Sequence, residues 1–225
     1  MQMKNKLKHM DGLSRICDTL MLDMDGTLLD LAYDNHMWME HIPTEYAKRN
    51  NLSPQDAREH LYKILGRLEG KLDWYCLDHW SDALDLDVVA LHREQKERIA
   101  FLPGAKLFLD NALDQSFRLL LVTNSHQETL NIKSEVTGIV EYFDDVYTSH
   151  ALGYAKEDQG FWNQLQKQEM FDPDRTVFID DNVAVLQAAR KYGLDQLLHI
   201  TQPDSRKASQ EHDDFAGIKG VSEIT

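Results

Sequence analysis

Two kinds of hydrophobic pattern alternate along the chain. Thr19-Leu20-Met21-Leu22, Leu119-Leu120-Leu121-Val122 and Thr176-Val177-Phe178-Ile179 are short, nearly unbroken apolar runs, the mark of strands buried on both faces. Asp145-Val146-Tyr147-Thr148 reads as a weaker strand, and Leu197-Leu198-His199-Ile200 as the one that closes the sheet. Between them, helices are predicted over 105–114, from Gln127 to about Val136, over 158–168, and from Val183 to Tyr192. The last holds Arg190 and Lys191 in its final turn, with Gly193 placed to end it. Strands that alternate with helices imply an α/β fold with a parallel sheet covered on both sides.

A stretch of about 70 residues after the first strand has a different character. Ser53-Pro54 reads as an N-cap followed by proline at the first helical position, with Asp56 completing a box-like pattern. Leu61, Ile64, Leu65 and Leu68 then share one helix face, and Gly70 is expected to stop the helix. Leu72 to Leu84 and Val88 to Ile99 are two further helical segments. Residues 31–99 are therefore expected to form a helical subdomain inserted into an α/β core made of 1–30 and 100–225. Residues 1–17 read as a polar lead-in. The tail from Gln202 reads as loop with at most one short element.

Hydrophobic residues at 42% suffice for a core, and charged residues at 28% are ordinary for a soluble protein. Lys and Arg number 24 against 38 Asp and Glu, a net charge of −14 that would repel a nucleic-acid polymer. Cys17 and Cys76 show no metal-like spacing and fit two reduced thiols. Met1 to Met10 carries lysines without a following apolar segment, so it does not read as a signal peptide. No apolar run approaches the roughly 20 residues that span a bilayer. A cytoplasmic protein without membrane attachment, and with no obligate protein partner evident, is expected.

Chemistry concentrates where the strands end, because the C-terminal ends of a parallel sheet open onto one edge. The first strand ends in Asp23-Met24-Asp25-Gly26-Thr27, the second in Thr123-Asn124-Ser125. The third leads through His150 and Gly153-Tyr154 to Lys156, and the fourth ends in Asp180-Asp181-Asn182. Taken singly, each has a bland reading: an acidic turn, a helix cap, a surface lysine, a second cap pair. Together, two acid pairs, a hydroxyl loop and a lysine at one edge make a site. Crowded carboxylates repel unless a cation or a proton separates them.

In order and type these four segments resemble the signature motifs of the haloacid dehalogenase superfamily of phosphotransferases. The run D-M-D-G-T-L-L-D is the most specific, V-F-I-D-D-N less so. The resemblance implies a three-layer, doubly wound Rossmann-like core with an inserted helical cap of the type that follows the first motif. It implies Asp23 as nucleophile, forming an aspartyl-phosphate, and Asp25 as acid and base. It implies Mg²⁺ held by Asp23, the Asp25 carbonyl and Asp181, with Asp180 acting through a metal-bound water. Thr123 and the Asn124 N–H would hold the phosphoryl group and Lys156 would neutralise charge. True dehalogenases of the superfamily lack the second aspartate, and P-type ATPases carry a lysine between Asp and Thr; neither pattern is present.

Asp23 and Thr123 stand 100 residues apart and Lys156 and Asp180 only 24, so the single large insertion follows the first motif. That favours a small phosphorylated metabolite over a protein substrate. Trp38, Trp74, Tyr75 and Trp80 are either insertion core or, for one of them, a stacking surface for a base. The runs L-L-D-M-D-G-T-L-L-D-L-A-Y-D-N, L-D-W-Y-C-L-D-H-W and G-Y-A-K-E-D-Q resemble bacterial GMP/IMP nucleotidases of this superfamily. They imply purine nucleoside 5′-monophosphates as substrates, with Asn35, His36 and Trp74 as candidate contacts. A sugar-phosphate phosphatase or mutase is the alternative, and a non-catalytic phosphometabolite-binding protein a remote one.

Overall fold

A computed structural model describes residues 10–224. Six parallel strands form one sheet: β1 (Thr19–Leu22), β2 (Arg118–Thr123), β3 (Asp145–Thr148), β4 (Thr176–Asp180), β5 (Gln196–Ile200) and β6 (Ala216–Ile218). Their spatial order is β3-β2-β1-β4-β5-β6. The chain leaves β1 to build β2 and β3 on one side, then returns to build β4 to β6 on the other. The winding reverses at β1, so its C-terminal end lies at the crevice where ligands of such sheets bind.

Although the central strands are apolar over most of their length, their apolar side chains sort strictly by period two. Leu20, Leu22, Leu119, Leu121, Val177, Ile179, Leu198 and Ile200 pack on one face, and Met21, Leu120, Val122, Phe178 and Leu197 on the other. The second face is closed by Phe161, Trp162, Leu186 and Ala189 from the two helices that flank β4 in sequence. The first face is continuous with residues of the insertion, among them Tyr33, Leu61, Leu77 and Trp80.

Between Ala32 and Arg98 all regular structure is helical. A helix begins at Ala32, passes through a π turn at Met37–His41 and continues to Asn50. Ser53 caps the next helix, Pro54–Leu65, accepting from Asp56 N–H at 3.1 Å. That helix ends at Leu65, and turns carry the chain to Gly70, whose φ of +74° marks the end of the turn region rather than of the helix. The predicted segment from Leu72 to Leu84 is broken at Cys76, which is extended and caps Leu77–Leu84 by accepting from His79 N–H at 3.4 Å. The two crossings between insertion and core run side by side, with Leu29 opposite Phe101.

The pattern predicts that Leu197–Ile200 closes the sheet, but it does not: β6 pairs beyond it. Ala216-Gly217-Ile218 is too short to show a period, and Gly217 is there because a β-carbon would stand 2.7 Å from Glu211 Oε2 and Thr201 Cγ2. The tail thus holds two short elements, β6 and a 3₁₀ turn at Val221–Glu223, pinned by buried Phe215, Ile218, Val221 and Ile224. At the other end, residues 10–17 are not wholly polar: Met10, Leu13 and Cys17 are buried. The lead-in and signal-peptide readings of Met1 to His9 lie outside the described residues. Among the described residues no helix is long and apolar enough to cross a membrane.

Within the insertion, Tyr33 OH lies 2.9 Å from His92 Nδ1, both side chains buried. Burial, seconded by the Lys133 charge, pushes His92 down to about 3. An unfolded histidine takes its proton near pH 6.5, so between that value and 3 the unfolded chain holds more protons and stability falls as pH falls. In urea titrations from about pH 7 to 5, His92 should cost the wild type up to about 1.4 kcal/mol per pH unit below 6.5. A His92→Gln variant should lack that increment; parallel acid limbs would count against it.

Candidate active site

The turn after β1 brings its carboxylates to the crevice. Gly26 adopts φ +85°, its N–H donates to Leu29 O at 2.8 Å, and Leu28 and Leu29 N–H both donate to Met24 O. A β-carbon on Gly26 would stand 2.5 Å from Asp181 Oδ2 and 2.9 Å from Pro203 Cβ. Only glycine lets the first and fourth strand-end loops approach this closely.

Lys156 is the centre of the arrangement. Its ammonium donates to Asp23 Oδ1 at 2.5 Å, to Asp180 Oδ2 at 2.7 Å and to Val122 O at 3.1 Å, and it is buried. Burial works against the charge, but Asp180 and Asp23 outweigh it and hold the ammonium above the usual lysine range. Asp23 is pushed up to about 7, first by burial, with Asp180 and Asp25 adding to it and Lys156 opposing. Burial, then Asp180 and Asp23, also raise Asp181 well above the usual carboxylate range. Asp23, Asp180 and Asp181 offer oxygens within 4.8 Å of one another. This crowd of hard oxygen donors, short of positive charge, fits a divalent cation such as Mg²⁺. Asp180 is already engaged on both oxygens, by Lys156 and by Asn182 N–H at 2.7 Å, which leaves Asp23 and Asp181 as the freer carboxylates.

The second and third loops interlock. Thr123 Oγ1 accepts from Ser125 N–H at 3.0 Å, and Asn124 Oδ1 accepts from Lys156 N–H at 2.8 Å. Asn124 Nδ2 donates to Glu157, which also accepts from Tyr75 OH of the insertion at 2.6 Å. Thr123, Asn124, Lys156, Asp23, Asp25, Asp180 and Asp181 all line one cavity of about 840 Å³. Its roof comes from the insertion, with Trp38, Trp74 and Tyr75. Trp80 is fully buried beneath them, donating from Nε1 to Trp74 O, and is insertion core.

The insertion residues singled out in the sequence are not all brought to the cavity. Trp74 lines it. Asn35 borders it, but its Nδ2 donates to Asp204 Oδ2 at 2.8 Å, in the loop after β5 that also binds the Ala32 carbonyl through Arg206. His36 pairs with Glu40, 2.9 Å away on the next helical turn, and stays outside the cavity wall.

Lys133 and Asp34 were not singled out in the sequence. The buried Lys133 ammonium donates to Asp25 Oδ1 at 2.6 Å and to both oxygens of Asp34, at 2.7 and 2.9 Å. Burial opposes its charge, and Asp25 and Asp34 more than restore it. Burial raises Asp34 to about 6 despite that lysine. A signal did exist: Thr129, Leu130, Ile132 and Lys133 form the buried face of the Gln127–Thr137 helix, and a lysine on such a face needs a partner.

Comparison with known proteins agrees with this geometry. Residues 17–193 match the family model described as haloacid dehalogenase-like hydrolase. The chain is 37% identical over 195 residues to the GMP/IMP nucleotidase YrfG of Escherichia coli, covering 87% of this chain and 88% of the relative. Among solved structures, a HAD phosphatase from Thermococcus onnurineus superposes with TM-score 0.76 at 20% identity, over 92% of this chain and 95% of that one. The magnesium-bound putative HAD-hydrolase YfnB of Bacillus subtilis gives TM-score 0.67 at 19% identity, over 92% and 96%. The α/β core, the order of its strand-end motifs and these matches together establish that the chain belongs to the haloacid dehalogenase-like hydrolases and is an enzyme of their phosphatase type.

Proposed function

We propose that this phosphatase is a Mg²⁺-dependent 5′-nucleotidase for purine nucleoside monophosphates, with residues 31–99 serving as its cap. The observation that carries the reading is the cavity itself. Its floor joins the four strand-end loops and its roof is aromatic. A flat base and a phosphate fit opposite ends of such a space. The 37% identity to a GMP/IMP nucleotidase over most of both chains supports the same substrate class.

In this reading Asp23 attacks phosphorus, forming an acyl phosphate as the bond to the ester oxygen breaks. Asp25 gives that oxygen its proton, then takes one from the water that cleaves the acyl phosphate and restores Asp23. Thr123 and the Asn124 N–H hold the phosphoryl oxygens, and Lys156 opposes the charge that gathers on them. Asp23, the Asp25 carbonyl and Asp181 would hold Mg²⁺, with Asp180 beside it. When bound, the ion offsets carboxylate repulsion and polarises a phosphoryl oxygen. Lys133 sets where Asp25 points: bonded to Asp25 and Asp34 at once, it ties the acid–base group to the first helix of the cap.

Three outcomes are expected. With Mg²⁺, phosphate is released from GMP and IMP well above hexose phosphates, and Asp23→Asn abolishes it in a folded protein. Release from hexose phosphates alone would overturn the substrate, and activity in Asp23→Asn the nucleophile. Trp74→Ala should cost roughly 1–3 kcal/mol of base stacking, seen as a raised KM for nucleotides but not for a small aryl phosphate. Lys133→Met should lower kcat about 10-fold or more, a part of the 10²–10⁴ that acid–base catalysis supplies. It should also destabilise the fold by roughly 3 kcal/mol, because two partly buried carboxylates lose the buried cation between them. A stability loss with unchanged kcat would make Lys133 a purely structural residue.

A further inference from the structure

Beside the acidic floor lies a second cluster with different chemistry. Cys76 of the insertion, His126 after β2 and His150 after β3 each bring a ligand atom within 4.8 Å of the other two. The histidine rings meet edge to face, with centroids 4.9 Å apart. We infer that Cys76, His126 and His150 form a binding site for a transition-metal ion of the zinc class, clasping the helical insertion to the core.

The hydrogen bonds around His150 leave it in the form a metal requires. Ser149 Oγ donates its one proton to Asn124 O at 3.0 Å, so toward His150 Nδ1, 3.3 Å away, it can only accept. The imidazole proton therefore sits on Nδ1, and Nε2 carries a bare lone pair. That Nε2 is buried and has no hydrogen-bond partner among the described residues. A second bond that fixes the ring and its tautomer is the usual support for a metal-bound histidine.

Cys76 is fixed by the helix that it caps. Its sulfur is the N-cap of Leu77–Leu84, accepting from His79 N–H at 3.4 Å. Binding would form a metal–sulfur bond and release the thiol proton to solvent. His126 Nδ1 accepts from Glu128 N–H at 3.4 Å, a long bond that ligation through Nδ1 would replace, and Nε2 stands 3.7 Å from Asp78 Oδ2. Asp78 is thus within reach of a fourth position. Ligands roughly 2.0–2.3 Å from a tetrahedral ion stand about 3.3–3.8 Å apart, so small side-chain rotations from the present spacing complete the site. One thiolate and two imidazoles suit zinc, cobalt or copper, whereas the all-oxygen cluster suits magnesium. The two sites would therefore select different ions.

The test uses the full chain, reduced, stripped with chelator and held in saturating Mg²⁺ so that the carboxylates are occupied. Titration with Co²⁺ should reach one equivalent with a thiolate-to-cobalt charge-transfer band and tetrahedral d–d bands. The band should vanish in Cys76→Ser, weaken at least tenfold in apparent affinity in His150→Gln, and persist in Cys17→Ser. Zn²⁺ should displace the cobalt and raise the melting temperature of the wild type but not of Cys76→Ser. A wild type without the band, or a band that survives Cys76→Ser, would overturn the proposal. Should Cys76→Ser fail to fold, His150→Gln decides it by the same band.

Discussion

One buried ammonium organises the crevice. Lys156 reaches the ends of three adjacent strands, through Asp23 after β1, Val122 in β2 and Asp180 in β4. A lone cation so deeply buried would cost several kcal/mol, and so would either carboxylate. Each is tolerable only in the company of the others. The sheet register that aligns β1 between β2 and β4 is what brings them together. The same geometry leaves Asp181 under-neutralised, the condition in which a divalent cation is wanted.

Much of this was legible in the sequence, for physical reasons. Strands covered on both sides are apolar at every position, so their runs stand out, and ligands of parallel sheets collect at the strand ends. Asp23, Thr123, Lys156 and Asp180 could be placed without coordinates on that basis. β6 could not, because three residues carry no period and its place depends on Gly217 fitting under Glu211 and Thr201. The break at Cys76 was hidden because the apolar spacing on either side continues as if one helix ran through it. Asn35 and His36 stood out as polar residues near the first motif, yet Asp204 and Glu40 engage them; such pairings span 169 residues in one case and a single helical turn in the other.

The contacts between insertion and core are of mixed kinds. Lys133 with Asp34, Tyr75 with Glu157, and Asn35 with Asp204 are polar struts, each linking a helical turn of the insertion to a different part of the core. Polar struts of this kind depend on geometry far more than apolar contact does, because a small displacement breaks a hydrogen bond outright. They make the roof of the cavity sensitive to what happens on its floor.

The apolar layers divide less evenly. Side chains of the insertion merge with one face of the sheet and share no cluster with the other, where Phe161, Trp162 and Phe178 pack among themselves. The molecule is therefore two-sided in a mechanical sense, with a fixed backing plate behind the strands and a working layer in front. Any tilt of the helical roof would be felt first on the face that carries Leu20, Leu22 and Ile179, while the backing plate holds the strand register still.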